Sequence, residues 1–309
     1  MDTRIFRTLA GCSTSLLALM LGGCSTRHFW LFHPHGPVAG TEMHIMGIDV
    51  LILLIIIVPT ALLLVWFLWH YRASREHSTY APNWSHSTAI ELIVWGVPVV
   101  TVAVLGYIAF QGIREVNPYD PTVVVSRAGE NPLTVDVITT DWKWLFLYPK
   151  QHIATVDRLV VPVQTPVRFK LTSATVTNSI FIPELVGQIY IMPGMRTEQS
   201  MLANRPGTYE GFSATQSGPG FTWMQFQTKA LSEAGFRHWV HRTQQGSRVL
   251  TYTAFNKLAR PSIDTEGKTI QYARVQPGLF DHVIEEVRDG KVFPTHWAMT
   301  EHMSRGTSN

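Results

Sequence analysis

Cysteine is nearly absent. The chain of 309 residues has two, Cys12 and Cys24, both close to the N-terminus. Everything after Cys24 is thiol-free, which excludes a disulfide framework and any thiolate metal ligand in that part. Charge is sparse too: 15% of residues are charged and the net is +3. The basic residues form no stripe, so nucleic-acid binding has no support. What is abundant is apolar surface. Hydrophobic residues make up 46% of the chain and 10 of them are tryptophan, a composition suited to contact with lipid.

The first residues read as a processed signal. Arg4 and Arg7 precede an apolar stretch from Leu9 to Leu21, which is too short to span a bilayer. Leu21-Gly22-Gly23-Cys24 follows. Small residues before a cysteine resemble the lipobox of bacterial lipoproteins. That resemblance implies removal of residues 1–23 and attachment of lipid, such as palmitate, at Cys24. Residues 24–44 then form an N-terminal segment outside the cytoplasmic membrane.

Two long apolar stretches come next. Ile45–Trp69, with Asp49 near its start and Pro59 inside, is long enough to cross a membrane with some tilt. Trp66 and Trp69 mark an interface. The second stretch covers 90–111, with Glu91 near its start and Pro98 inside. The linker 70–89 carries Arg72 and Arg75 against Glu76, which places it in the cytoplasm by the positive-inside rule. The expected protein is therefore multi-pass, in a bacterial inner membrane, with a large periplasmic C-terminal part.

From Asn117 onward short β-rich runs alternate with Pro, Gly and Asn, the texture of an all-β sandwich of about eight strands. Expected strands are Thr122–Ser126, Leu133–Thr139, Arg158–Pro162, Val167–Thr172, Ser179–Ile182, Gln188–Met192, Glu198–Ala203, Tyr209–Ser213 and Trp223–Thr228. Trp142, Trp144, Phe146 and Tyr148 alternate, so one strand face is expected to carry four aromatic rings into a core. Residues 229–290 read as a helical extension, with helices from Ser232 to about Arg242, over Thr251–Leu258 and over Leu279–Arg288. Residues 291–309 hold His296, Met299, His302 and Met303, and read as a flexible tail.

The stretch Gly211–Phe226 carries the chemistry, by what it is missing. Placing Cys, Cys and His at Ser213, Ser217 and Phe221 ahead of Met224 gives Cys-x3-Cys-x3-His-x2-Met, a loop suited to a thiolate-bridged copper centre. Only the methionine is present. A serine hydroxyl is a hard, weakly acidic donor that cannot replace a bridging thiolate, and phenylalanine cannot ligate at all. Met224 alone therefore reads as a core residue.

Several stretches together carry a family resemblance. They are Trp84-Ser85-His86-Ser87, Asp141-Trp142-Lys143-Trp144 with Tyr148-Pro149, Asn178-Ser179-Ile180-Phe181-Ile182-Pro183, Gln188-Ile189-Tyr190 and Ser217-Gly218-Pro219-Gly220-Phe221. With two spans before them, they resemble subunit II of the haem–copper respiratory oxidases, in the bo-type ubiquinol-oxidising branch. The resemblance covers nearly the whole mature chain. It implies two N-terminal transmembrane helices, a cupredoxin-like sandwich over 112–228 without copper, and a C-terminal helical extension.

In the cytochrome c-oxidising relatives this domain holds a dinuclear copper centre. By resemblance its ligand positions fall here at Asn178, Ser213, Thr215 (a carbonyl donor), Ser217, Phe221 and Met224. Both thiolates and both imidazoles are missing, so no metal and no cofactor is expected in this chain. Haems, copper and ubiquinol are expected in the complex, in the large subunit I, and no catalytic residue is expected here. Subunit I is the expected main partner, with subunits III and IV and the lipid bilayer. Cytochrome c is not expected, because basic residues outnumber acidic ones beyond residue 111. Glu91 matches a glutamate that relatives place at the mouth of a proton channel, and is assigned a proton-entry role. Two other readings remain open: a copper-bearing cytochrome c oxidase subunit, and a membrane-anchored cupredoxin-like lipoprotein with a binding or structural role only.

Overall fold

The computed structural model describes residues 30–72, 85–119, 132–263 and 269–295. Two helices open it: α1, Pro37–His70, and α2, Thr88–Glu115. Both are long and apolar enough to cross a membrane, and their most apolar windows are wholly unburied within the chain. At 1.5 Å per residue α1 is about 51 Å long, against about 30 Å of hydrocarbon. It is thus longer than a bilayer's hydrocarbon, and it begins eight residues before the apolar stretch. The expected bounds of 45–69 and 90–111 mark the apolar stretches, and the helices overrun them at both ends.

The extra turns of α1 belong to the domain that follows. Val38 joins the sandwich core. Gly36, just before the helix, is held so close that a Cβ would sit 2.5 Å from the carbonyl oxygen of Leu185. The two helices meet where Gly112 leaves room for Ile45, whose Cδ1 lies 2.6 Å from where a Cβ would be.

Two sheets pack face to face. The first has strand order β12-β3-β2-β1-β5-β8. In chain order its strands are β1 (Leu133–Thr140), β2 (Lys143–Tyr148), β3 (Ile153–Val156), β5 (Val167–Ser173), β8 (Thr197–Met201) and β12 (Ile270–Tyr272). The second has order β4-β10-β9-β6-β7. It consists of β4 (Arg158–Pro162), β6 (Asn178–Ile182), β7 (Val186–Ile191), β9 (Gly207–Ser213) and β10 (Gln225–Leu231). β1 runs parallel to β5 and β10 parallel to β4; the other pairs in these sheets are antiparallel.

Trp144, Phe146 and Tyr148 face the sandwich interior, as their alternation predicts. Trp144 and Phe146 both pack on Phe226 at about 5 Å between ring centroids. Trp142 is a correction. It precedes β2 in a left-handed turn, φ 68°, and so leaves the strand's alternation. Its ring still enters the core.

β3 went unread in the sequence, being four residues between turns. The expected strand Thr122–Ser126 and the linker arginine Arg75 lie outside the described residues.

Most of the extension caps the other face of the first sheet, while Phe236 and Trp239 of its first helix join the sandwich core against Tyr148. It holds α3 (Glu233–Gln244), α4 (Tyr252–Leu258) and α5 (Leu279–Arg288), with a two-stranded sheet of β11 (Val249–Leu250) and β13 (Arg274–Val275). Leu145 and Leu147 of β2 point into a second core with Phe255, Phe280, Val283 and Phe293. β2 is thus buried on both faces, which explains its unbroken apolar run. Its first residue, Lys143, is 7% exposed and donates from Nζ to the Arg260 carbonyl at 2.7 Å and to Ser262 Oγ at 2.6 Å. Burial lowers its pKa, against the pull of Asp157 and Asp141.

Helix starts are fixed locally. Ser232 Oγ accepts from Gly235 N and Thr251 Oγ1 accepts from Ala254 N, both capping bonds. The extension is more than helical, since β12 adds an edge strand to the main sheet through Ile270–Tyr272.

Candidate functional site

The degenerate loop joins β9 to β10 at one end of the sandwich. The register of β9 on β10 places Phe212 opposite Gln225, and Ser213, paired with Ile180 of β6, is the last strand residue before the loop. Ser213 N–H donates to the Met224 carbonyl at 3.2 Å and closes the loop's base. Phe221–Trp223 form a single 3-10 turn. Gly218, at φ 109°, precedes it in a conformation that favours glycine. Gly220 allows the loop to lie flat on the core: a Cβ there would be 2.2 Å from the Trp142 ring.

All six candidate ligand positions converge on this end. Asn178 and Met224 are fully buried, Ser213 and Ser217 nearly so, and Phe221 is half-buried against the core. Most of their polar atoms are hydrogen-bonded within this end of the sandwich. Ser213 Oγ lies 3.3 Å from Asn178 Oδ1 and 3.2 Å from the Thr215 carbonyl oxygen. Asn178 Nδ2 donates to Thr139 Oγ1 at 3.3 Å and to the Val176 carbonyl at 3.2 Å. Thr215 Oγ1 bonds Ser179 Oγ at 2.9 Å, and Ser179 Oγ also accepts from Ala214 N at 3.1 Å. Ser217 is held by its carbonyl, which accepts from Trp142 Nε1 at 3.2 Å, while its buried Oγ has no partner among the described residues.

This donor set does not fit a thiolate-bridged copper pair. It offers hydroxyls, one carboxamide and one carbonyl, all hard, and a single thioether packed in an apolar core. The Met224 backbone has a structural task, accepting from Trp144 Nε1 at 3.2 Å. Sequence reading found the ligand positions but missed Thr139 and Ser179, which complete the network. Ser179 stood next to Asn178 in the sequence; Thr139 could be found only through the pairing of strands.

Glu91 is remote from this loop. It lies in the first turn of α2, exposed, with its N–H donating to the Ser87 carbonyl at 2.9 Å. The other end of α2 leads to the sandwich, about 36 Å away along the helix. Cys24, Trp84, His296, Met299, His302 and Met303 lie outside the described residues.

Comparison with known proteins decides the family. Residues 148–231 match the model of the cytochrome c oxidase subunit II periplasmic domain. Ubiquinol oxidase subunit 2 of Acetobacter aceti is 40% identical over 275 residues, covering 89% of this chain and 87% of that one. The chain belongs to the ubiquinol oxidase subunit 2 family. Cytochrome bo(3) ubiquinol oxidase subunit 2 of Pseudomonas aeruginosa is 39% identical over 267 residues, covering 86% of this chain and 78% of its own. Among solved structures, the periplasmic domain of cytochrome oxidase subunit II of Bradyrhizobium japonicum is 22% identical. It covers 37% of this chain and 95% of its own, with a TM-score of 0.35.

Proposed function

We propose that this chain is the second subunit of a membrane-bound quinol oxidase and binds no copper itself. In this reading the complex oxidises ubiquinol, reduces oxygen to water and pumps protons, with haem and copper centres in the large subunit I. The chain contributes two spans, a folded outer domain that supports assembly, and no redox centre. The observation that carries this is the ligand loop: the fold is intact while hydrogen bonds among Asn178, Ser213, Thr215 and Ser179 occupy the place of a metal.

The finer parts of the reading follow from it. The sandwich lies in the periplasm, Cys24 carries lipid, and the bilayer and subunits I, III and IV are the contacts. Glu91, exposed at the end of α2 far from the sandwich, collects protons from the cytoplasmic side.

Affinity purification from native membranes provides the test. The tagged chain is expected to bring down a haem-bearing subunit with quinol oxidase activity. The chain separated from that partner is expected to carry no copper. Two coppers per separated chain would return it to the cytochrome c-oxidising class, and absence of any haem partner would leave only the structural lipoprotein.

A further inference from the structure

A cavity of about 180 Å³ lies where both helices meet the sandwich. Its wall includes Val38 and Glu42 of α1, Asn117 after α2, Gly187 of β7, and Gln199 and Ser200 of β8. Glu42 sits in the second turn of α1, outside the apolar stretch that begins at Ile45, and faces the sandwich. A Cβ added at Gly187 would lie 2.0 Å from Glu42 Oε1, so the carboxyl group rests on the glycine backbone.

Gln199 is 4% exposed. Its Nε2 donates to the Gly187 carbonyl at 2.7 Å, which fixes the carboxamide's orientation. Its Oε1 is buried without a partner among the described residues. The cavity thus brings together two oxygen groups that both call for a donor, an acid and a buried amide carbonyl. No basic side chain lines it. The volume holds several waters.

We propose that this cavity is a proton site: the Glu42 carboxyl takes up a proton and shares it, through ordered water, with Gln199 Oε1. The chemistry follows from burial. An ionised carboxylate with no cation beside it, and only neutral amide and hydroxyl groups of Asn117, Gln188 and Ser200 in the same wall, is costly, whereas the protonated form has an O–H to give. Burial alone acts on Glu42, raising its pKa from 4.5 to about 7. Charged groups on the elements around the cavity do not offset this. Glu115 ends α2 and is itself acidic, Glu198 of β8 is paired with Arg168, and Glu184 before β7 faces His35. The proton state of Glu42 therefore sets how α1 seats on β7. The neutral carboxyl packs on Gly187, and the ionised one draws in water and loosens that contact. The site follows from this chain's own residues and does not rest on the quinol oxidase reading.

The test is an infrared titration of the full-length chain in lipid nanodiscs between about pH 5 and 9. Beside the band of Asp136, which titrates near pH 6, a second protonated-carboxyl band is expected to titrate near pH 7 and to be missing in Glu42→Gln. In Gln199→Leu, which keeps the acid, the band is expected to move in frequency and its midpoint to shift by about one pH unit. Persistence of the band near pH 7 in Glu42→Gln would overturn the proposal. Should Glu42→Gln fail to fold, an unaltered midpoint in Gln199→Leu would overturn it equally. A midpoint that falls steeply on adding sodium or magnesium would also overturn it, because it would make the occupant a cation.

Discussion

Two adjoining regions at the end of the sandwich are held by different forces. Beneath the loop lies an apolar platform of Trp142, Trp144, Met224 and Phe226, buried and closely packed. Above it lie the ligand positions Asn178, Ser213, Thr215 and Ser217, which hold a small polar network. The platform is apolar and closely packed, whereas the ligand positions carry hydroxyl and carboxamide groups and no thiolate or imidazole. The loop's geometry is therefore fixed by packing from below, not by a metal from above. Buried aromatic area contributes several kcal/mol per residue, while each neutral hydrogen bond adds about 1 kcal/mol net.

The sharpest way to break that contrast is to remove the platform. Trp144→Ala is expected to cost about 3–5 kcal/mol and to collapse the loop, read as a lowered denaturation midpoint of the full-length chain. Gly220→Ala forces a Cβ into the Trp142 ring and is expected to cost about 1–3 kcal/mol, without touching any ligand position. Ser213→Ala, by contrast, removes the hub of the polar network and should cost only about 1–2 kcal/mol. If Ser213→Ala proved as damaging as Trp144→Ala, the network rather than the platform would be setting the loop.

A weaker effect tests the second core, on the far side of the same sheet. Burial raises the pKa of Asp136 from 3.8 to about 6, with Asp281 adding to the rise and Lys170 and Arg196 opposing it. The folded chain holds that proton more tightly than the unfolded chain. Its contribution to stability is thus full below about pH 4 and is lost as pH rises through about 6. Asp136→Asn should therefore match the parent at pH 4 and exceed it in melting temperature at pH 7. The smallest effect concerns turnover rather than folding. Glu91→Gln in the assembled complex is expected to slow oxygen consumption severalfold while haem content stays constant; unchanged turnover would remove Glu91 from the proton path.

Much of the site was legible because its signal is local. The spacing of Ser213, Ser217, Phe221 and Met224 is a motif in one loop, and the alternation of Trp144, Phe146 and Tyr148 is the period of one strand. Trp142 broke that alternation because one left-handed residue ends the strand's geometry, and nothing in its neighbours announced it. β3 was missed because four residues between turns carry too little periodicity to register. The junction cavity was illegible for a different reason. Glu42, Gly187 and Gln199 lie far apart in the chain, and none is unusual where it stands.

The sequence by itself determined the class of protein. Two apolar stretches longer than a bilayer, a run of short β-rich segments and a thiol-free loop with copper spacing follow from periodicity and composition, which are local properties of the chain. Only the tertiary structure decided what the remaining polar groups do. It tied Asn178 to Ser213 and Thr139, set Lys143 against the extension, and enclosed Glu42 with Gln199. Burial and hydrogen bonding depend on which strands become neighbours, and sheet pairing across many residues is what a linear reading cannot see.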